Sequence, residues 1–199
     1  RVVRLRTKEE LSPAILAQLE PDFVFFPHWS WLIPAEIYSR FACVIFHMTD
    51  VPYGRGGSPL QNLIVLGHRE TKLTALRCGA EVDAGPVYLK RPLSLEGTAE
   101  EILGRASVLM EEIIAEIVEH HPQPIPQQGQ VVTFKRRRAE DGDLVPVGTV
   151  DQVYDYIRML DAAGYPPAFV DVGHWHLEFS DALLGEEYVD AKVRIRKRQ

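Results

Sequence analysis

The chain has 199 residues, 46% of them hydrophobic and 25% charged, which fits one soluble globular domain with or without a small appendage. A formal net charge of −6 gives no prior for a nucleic-acid or membrane surface as partner. No run is long enough to span a membrane, no signal peptide opens the chain, and both cysteines lie in apolar runs, so a cytoplasmic protein with buried free thiols is expected.

Taken in order, RVVRL has a short strand pattern. TKEELSPAILAQLE carries Thr7 with Glu10 three residues on, a capping box that predicts a short helix. PDFVFF and ACVIF are continuous apolar runs, suited to strands buried on both faces of a parallel sheet. Between them PAEIYSRF predicts a crossover helix opened by Pro34, which completes a βαβ unit. Past the loop GRGGS, SPLQNLIVLG reads as a helix ended at Gly67, and TKLTALRC and GPVYLKRPL read as strands.

TAEEILGRASVLMEEIIAEIVEHH has the strongest periodicity in the chain. Ile102, Leu103, Ala106, Leu109, Met110, Ile113, Ile114 and Ile117 form one apolar stripe, read as core packing. HPQPIPQQGQ, with three prolines and no periodicity, reads as a linker, and KRRR behind it as a solvated loop. A helix in TVDQVYDYIRMLDAA and strands in AFVDV, HWHLEF and YVDAKVRI follow. The expected fold is α/β: a mostly parallel, Rossmann-like sheet flanked by helices, with a small C-terminal β-rich appendage. The expected division is a main domain over 1–121, a linker and basic loop over 122–148, and a C-terminal helix plus β subdomain over 149–199. Exposed strands in the appendage make a homodimer an expectation.

In open parallel sheets, ligands bind outside the carboxyl ends of the strands. Four polar clusters fall at such ends: His28 with Ser30; His47 with Thr49 and Asp50; Arg55 with Ser58 in the glycine loop; and Glu81 with Asp83. No pair among His28, His47, Asp50 and Asp83 has a tight metal spacing, so no metal is expected; His174 and His176 alternate on a strand and read as surface residues. GRGGS lacks the lysine of a phosphate loop, and its glycines read as allowing tight turns and close backbone approach. Ser58 has no strand-turn-helix elbow around it, and neither cysteine signals a nucleophile. What remains is a histidine with a carboxylate: His47 ends a strand, and Asp83 sits in a turn that could come alongside. An imidazolium held by a carboxylate can stabilise a developing oxyanion in acyl transfer.

The same residues resemble the folate-dependent formyltransferase family. FHMTDVPYGRGGSPLQ is similar to the family's His-Pro-Ser-Leu-Leu-Pro…Arg-Gly…Pro-Ile-Gln segment, with His47, Pro52, Arg55, Gly56, Pro59 and Gln61 in register and Thr49 in place of the serine. EVDAGPVY is similar to Val-Asp-Thr-Gly-Pro-Ile, which puts Asp83 on the catalytic aspartate. PDFVFFPHWSWLIP resembles the strand and loop before the catalytic strand. FKRRRAEDGDL and VYDYIRMLDAAGYPPAFV resemble the junction and C-terminal part of methionyl-tRNA and sugar N-formyltransferases. The likeness covers roughly residues 19–172 in four ordered segments.

The resemblance implies an enzyme that moves a formyl group from N10-formyltetrahydrofolate to a primary amine. His47 would stabilise the tetrahedral oxyanion, Asp83 would hold His47 and help remove the amine proton, and Thr49 would be the third catalytic residue. The pterin would lie along Trp31, Leu32, Ile33 and Pro34 and along Gly79, Ala80, Glu81 and Val82. Arg55, Gly56, Gly57, Ser58, Gln61, Asn62 and His28 would face the acceptor. The implied acceptor is a small-molecule amine, first of all an amino sugar on a nucleotide. The acidic balance and short C-terminal part speak against methionyl-tRNA, which the KRRR run keeps as an alternative, beside hydrolysis of the donor and folate or nucleotide binding without catalysis.

Two departures stand out. The family's asparagine two positions before the histidine is here Ile45, a hydrocarbon with nothing to donate, and Asn62, Thr49 and His28 are the candidate replacements. The family's domain also opens with a βα unit that this chain lacks, which implies an earlier segment or a rearranged sheet edge.

Overall fold

A computed structural model describes residues 1–7 and 9–198. The two apolar runs become Val24–Phe26 (β1) and Cys43–His47 (β2), which pair in parallel with Phe25 opposite Val44. Ala35–Tyr38 (α2) is the crossover, with Pro34 as its N-cap. The chain then passes through Arg55–Gly56 (β3) and Pro59–Val65 (α3) before Glu70–Arg77 (β4) runs antiparallel along β2, placing Thr74 opposite His47. Val87–Ser94 (β5) pairs antiparallel with β4. The sheet order is β1-β2-β4-β5.

The α/β class and the C-terminal β-rich part are as expected, but only the β1/β2 ladder of this sheet is parallel. The reason lies partly in the β4–β5 connection. Parallel neighbours need a crossover of about a dozen residues or more, and residues 78–86 hold no helix, so β5 turns straight back.

Ala99–His120 (α4) covers the sheet. Its capping box is complete: Thr98 accepts from the Glu101 amide and Glu101 accepts from the Thr98 amide. The stripe buries Ala99, Ile102, Ala106, Met110, Ile113 and Ile117 against Val44, Leu73, Ala75, Leu93 and Leu95. Leu103, Leu109 and Ile114 are half-buried at its flanks. Truncating a buried Ile or Met of this stripe to alanine costs about 2–5 kcal/mol, since the cavity adds to the lost transfer energy.

At the front, residues 1–6 form no strand, contrary to the RVVRL pattern; Leu5 instead packs on the cluster of Leu16, Phe26 and Ile37. The helix there is Pro13–Leu19 (α1), capped by Ser12 rather than Thr7. Thr7 and Glu10 make a separate turn, with the Glu10 amide donating to Thr7 Oγ1 at 3.3 Å. A proline after Ser12 suits the first helical position, and this fixes the start.

The segment read as a linker is stitched to the main layer. Ile125 and Val87 exchange two backbone hydrogen bonds of 2.8 Å. Thr133–Phe134 (β6) pairs in parallel with β3. Beyond a 3-10 turn at Ala139–Gly142, Leu144 and Val147 already belong to the C-terminal cluster with Ile157, Ala168 and Ala182. That part holds Val150–Arg158 (α5) against an antiparallel sheet of Ala168–Val172 (β7), Trp175–Leu184 (β8) and Val189–Lys197 (β9).

Arg158 ties the two parts together and is 1% exposed. Its Nε donates to Asp155 Oδ1 at 2.6 Å and its Nη1 to the carbonyls of Leu95 at 2.5 Å and Gly97 at 2.9 Å. Arg69 reaches the same Asp155 oxygen at 3.2 Å. Among the described residues, no helix is long and apolar enough to cross a membrane.

Candidate active site

His47 closes β2 and is 7% exposed. Its Nε2 lies 2.7 Å from the Gly54 carbonyl. A carbonyl only accepts, so Nε2 carries the proton and donates. Nδ1 then faces Asp83 Oδ2 at 3.5 Å, too long for a hydrogen bond of ordinary strength but close enough for a shared charge. Asp83 stands in the left-handed region, φ 52°, in the turn between β4 and β5. Its Oδ2 also accepts from the Gly56 amide at 2.9 Å. Both contacts fall on Oδ2, and among the described residues none falls on Oδ1.

Thr49 is fully buried and donates to the Gly54 carbonyl at 3.3 Å, the oxygen that His47 also uses. Its own carbonyl accepts from Thr74 at 2.7 Å. The strand mouth is therefore fixed to β4. The glycine loop is held by the chain itself. Gly56 has φ 99°, and a Cβ there would stand 2.6 Å from the Phe134 carbonyl; a Cβ at Gly54 would meet the Phe134 ring at 2.7 Å. Close approach is thus what these glycines permit, but the approaching chain is β6.

Other expected site residues spread around this centre. Arg55 belongs to it: its Nε and Nη2 donate to Gln127 Oε1 at 3.1 and 2.8 Å. Gly57 packs on Arg136, and Ser58 Oγ accepts from the Arg137 amide at 3.0 Å. Asn62 spends its amide on the carbonyls of Gly57 and Lys135, at 3.0 and 2.9 Å. Gln61 points the other way, toward the Met159 carbonyl at 3.4 Å, so it serves the seam with α5. His28 is bonded to Ser107 on α4 at 2.8 Å, and no hydrogen bond among the described residues joins it to His47.

Of the three candidates to replace the missing asparagine, Thr49 donates beside His47 but into the Gly54 carbonyl, while Asn62 and His28 are bonded to other partners. Ile45 lies on the same face of β2 as His47 and packs in the apolar cluster with Ile33 and Cys78. Ile33 and Cys78 belong to or adjoin the two loops expected to hold a pterin. Trp31, Leu32 and Val82 are exposed beside them, at 57%, 83% and 59%. Ala80 and Glu81 are exposed, and Pro34 caps α2.

Other chemistries find little footing. Burial, with Cys78 beside it, pushes the Cys43 thiol up to about 12, and burial also raises Cys78, so neither thiol supplies a thiolate near neutrality. Among the described residues, no group of three His, Cys, Asp or Glu side chains could hold a metal ion.

Gln127 was not legible in the sequence. It lies in the proline-rich stretch, donates through Nε2 to the carbonyls of Asp83 and Gly85, both at 2.8 Å, and accepts from Arg55. A stretch without periodicity gives no hint of which polar side chain turns inward. The pairings of Ile125 with Val87 and of β6 with β3, on either side of it, bring it to the site.

Residues 139–196 match the family model described as methionyl-tRNA formyltransferase, C-terminal domain. A methionyl-tRNA formyltransferase from Clostridium thermocellum superposes with a TM-score of 0.94 at 44% identity, over 98% of this chain and 86% of that one. The methionyl-tRNA formyltransferase of Bacillus thuringiensis is 26% identical over 170 residues, which is 80% of this chain and 53% of the relative. A sugar N-formyltransferase from Shewanella shares the fold, with a TM-score of 0.63 at 18% identity over 80% of this chain and 69% of that one. The chain spans about half the length of the curated relatives it matches. At 44% identity over nearly its whole length, the chain belongs to the formyltransferase family that includes the methionyl-tRNA formyltransferases.

Proposed function

We propose that the chain transfers a formyl group from N10-formyltetrahydrofolate to a primary amine. The observation that carries this reading is the buried His47–Asp83 pair at 3.5 Å, with Asp83 Oδ1 free of any partner among the described residues. The amine nitrogen forms the new C–N bond, the folate N10 leaves with the electron pair, and one proton passes from the amine to N10. Asp83 Oδ1 is the oxygen that takes the proton, and His47, beside Oδ2, relays it and steadies the negative charge on the tetrahedral carbon's oxygen. The exposed apolar side chains Trp31, Leu32 and Val82 offer the pterin a surface.

The acceptor amine is best read as one carried on a phosphate-bearing molecule. Lys135, Arg136 and Arg138 are exposed, and their backbone lies directly against the glycine loop, where Gly57 packs on Arg136 and Asn62 holds the Lys135 carbonyl. Position at the mouth of the site gives this run a use beyond solvation. The names of the most similar relatives favour methionyl-tRNA as that acceptor. A nucleotide-linked amino sugar is the second reading, supported by the net charge of −6.

The test offers purified protein the folate donor with methionyl-tRNA and, separately, with nucleotide-linked amino sugars, and reads products by mass spectrometry. Formyl-methionyl-tRNA supports the first reading and a formylated sugar the second. No product with either, from protein that still binds the folate, means that the loss at Ile45 has left a binding protein.

A further inference from the structure

We infer that Gln127 is a positioning residue for Asp83, acting as a clasp between the acceptor loop and the proton-accepting carboxylate. The inference rests on the formyl-transfer reading for its kinetic consequence but not for its structural one. Asp83 is a non-glycine residue at φ 52°, a conformation that persists only where the surroundings impose it. Residues 80–82 before it are exposed and supply little constraint. The constraint comes from β3, which reaches Asp83 at both ends. At the carboxylate, the Gly56 amide donates to Oδ2 at 2.9 Å. At the main chain, Arg55 grips Gln127, and Gln127 donates to the Asp83 and Gly85 carbonyls.

Each atom of the Gln127 amide is used once its geometry is counted. Oε1 takes two guanidinium donors and Nε2 serves two carbonyls. Only a side-chain amide can accept from a cation and donate to two main-chain oxygens at that reach. A carboxylate would keep the Arg55 contact and face two carbonyls without a proton. The segment that carries Gln127 is itself fixed, by Ile125 to β5 on one side and by β6 to β3 on the other. Oδ1 of Asp83 is thereby aimed by contacts to its main chain and to Oδ2 that leave Oδ1 itself free among the described residues.

The test uses two isosteric variants of the full chain, Gln127→Met and Gln127→Glu, so that a fault in folding of one does not end the matter. Two quantities are read: formyl transfer, split into kcat and the KM for the folate donor, and hydrogen exchange of the Gly56 amide, whose acceptor is Asp83. The expected result is a fall in kcat of about 10- to 100-fold with KM changed by less than about 3-fold. The Gly56 amide should exchange at least about 10-fold faster. Unchanged Gly56 protection in both variants overturns the clasp. So does a loss of donor binding in proportion to kcat, which is what a merely structural anchor would give. If the parent protein yields no formylated product, the reading of the reaction fails, while the Gly56 exchange still decides whether Gln127 holds Asp83.

Discussion

Among the described residues the molecule contains two histidine–aspartate pairs, and the tighter one is the more fully partnered. On the C-terminal sheet, His176 Nδ1 meets Asp171 at 2.7 Å, with side chains 24% and 27% exposed. Every neighbour there is answered: Arg198 lies 3.4 Å from the other Asp171 oxygen, Glu178 lies 3.8 Å from His176 Nε2, and Arg196 pairs with Glu178. The Phe169 ring packs 4.9 Å from the imidazole. His47 and Asp83 are farther apart, at 3.5 Å, but more buried, at 8% and 12%, and one carboxylate oxygen has no partner among the described residues. Proximity alone marks neither pair as chemical. A carboxylate whose two oxygens both face cationic partners is a weaker proton acceptor than a buried one with an oxygen left free.

The sharpest way to break this contrast is to cut both pairs alike. Asp83→Asn should lower formyl transfer by about 10²–10⁴-fold, the usual weight of a positioned acid/base group, while folate binding persists. Asp171→Asn should leave transfer within about 2-fold and cost at most about 1 kcal/mol in urea melts, as for partly exposed ion pairs. Equal activity losses from the two changes would mean that the C-terminal pair shares the reaction and that the contrast is wrong.

The sequence carried the first pair and hid its support, for a physical reason. A strand that ends in a histidine, a glycine loop and a turn before Gly85-Pro86 are local patterns, so His47, Asp83, the βαβ unit and the long α4 could be read in advance. The partners that hold the pair come from residues distant in the chain: Gln127 from a proline-rich stretch and Phe134 from a two-residue strand. No local periodicity encodes such threading. The same blindness left the antiparallel direction of β4 and β5 unread, though both strands were read, and gave His28 and Gln61 to the site, when one is bonded to α4 and the other to the end of α5. Capping failed more narrowly: Thr7 and Glu10 do make a turn, but Ser12 before Pro13 starts the helix.

A second change sharpens what the His47 pair lacks. Ile45 sits two residues before His47 on the same strand face, inside an apolar cluster. Ile45→Asn would return an amide donor to that face. One such donor is worth about 10²–10³ in kcat in other acyl-transfer sites, so even imperfect placement should raise turnover by about 10-fold. The same change should destabilise the protein by about 1–3 kcal/mol, since the new amide enters apolar surroundings. A stability loss with no gain in kcat would show that the oxyanion is already served by His47 or by main-chain amides.

Asp50 gives the smallest effect and the cleanest control. It lies three residues past His47, yet it belongs with Asp171 in character. Lys72 meets one carboxylate oxygen at 2.9 Å and Lys90 the other. Burial alone would raise its carboxyl, but the hydrogen bonds and charges of Lys72 and Lys90 outweigh it and hold the group below its ordinary value. A carboxyl depressed in the folded state stabilises the fold above its unfolded value of about 3.9 and loses that contribution as pH falls through the folded value. Its side chain is 45% exposed, so solvent screening keeps the effect below about 1 kcal/mol. Asp50→Asn should therefore lower stability slightly at pH 7, and the gap from the parent protein should close as urea melts are repeated at lower pH below about 4. Formyl transfer at pH 7 should change by less than about 2-fold, because both Asp50 oxygens are already engaged and neither contacts His47. A loss as large as that of Asp83→Asn would instead make Asp50 a second carboxylate of the site, and free oxygens would no longer separate the reactive pair from the structural one.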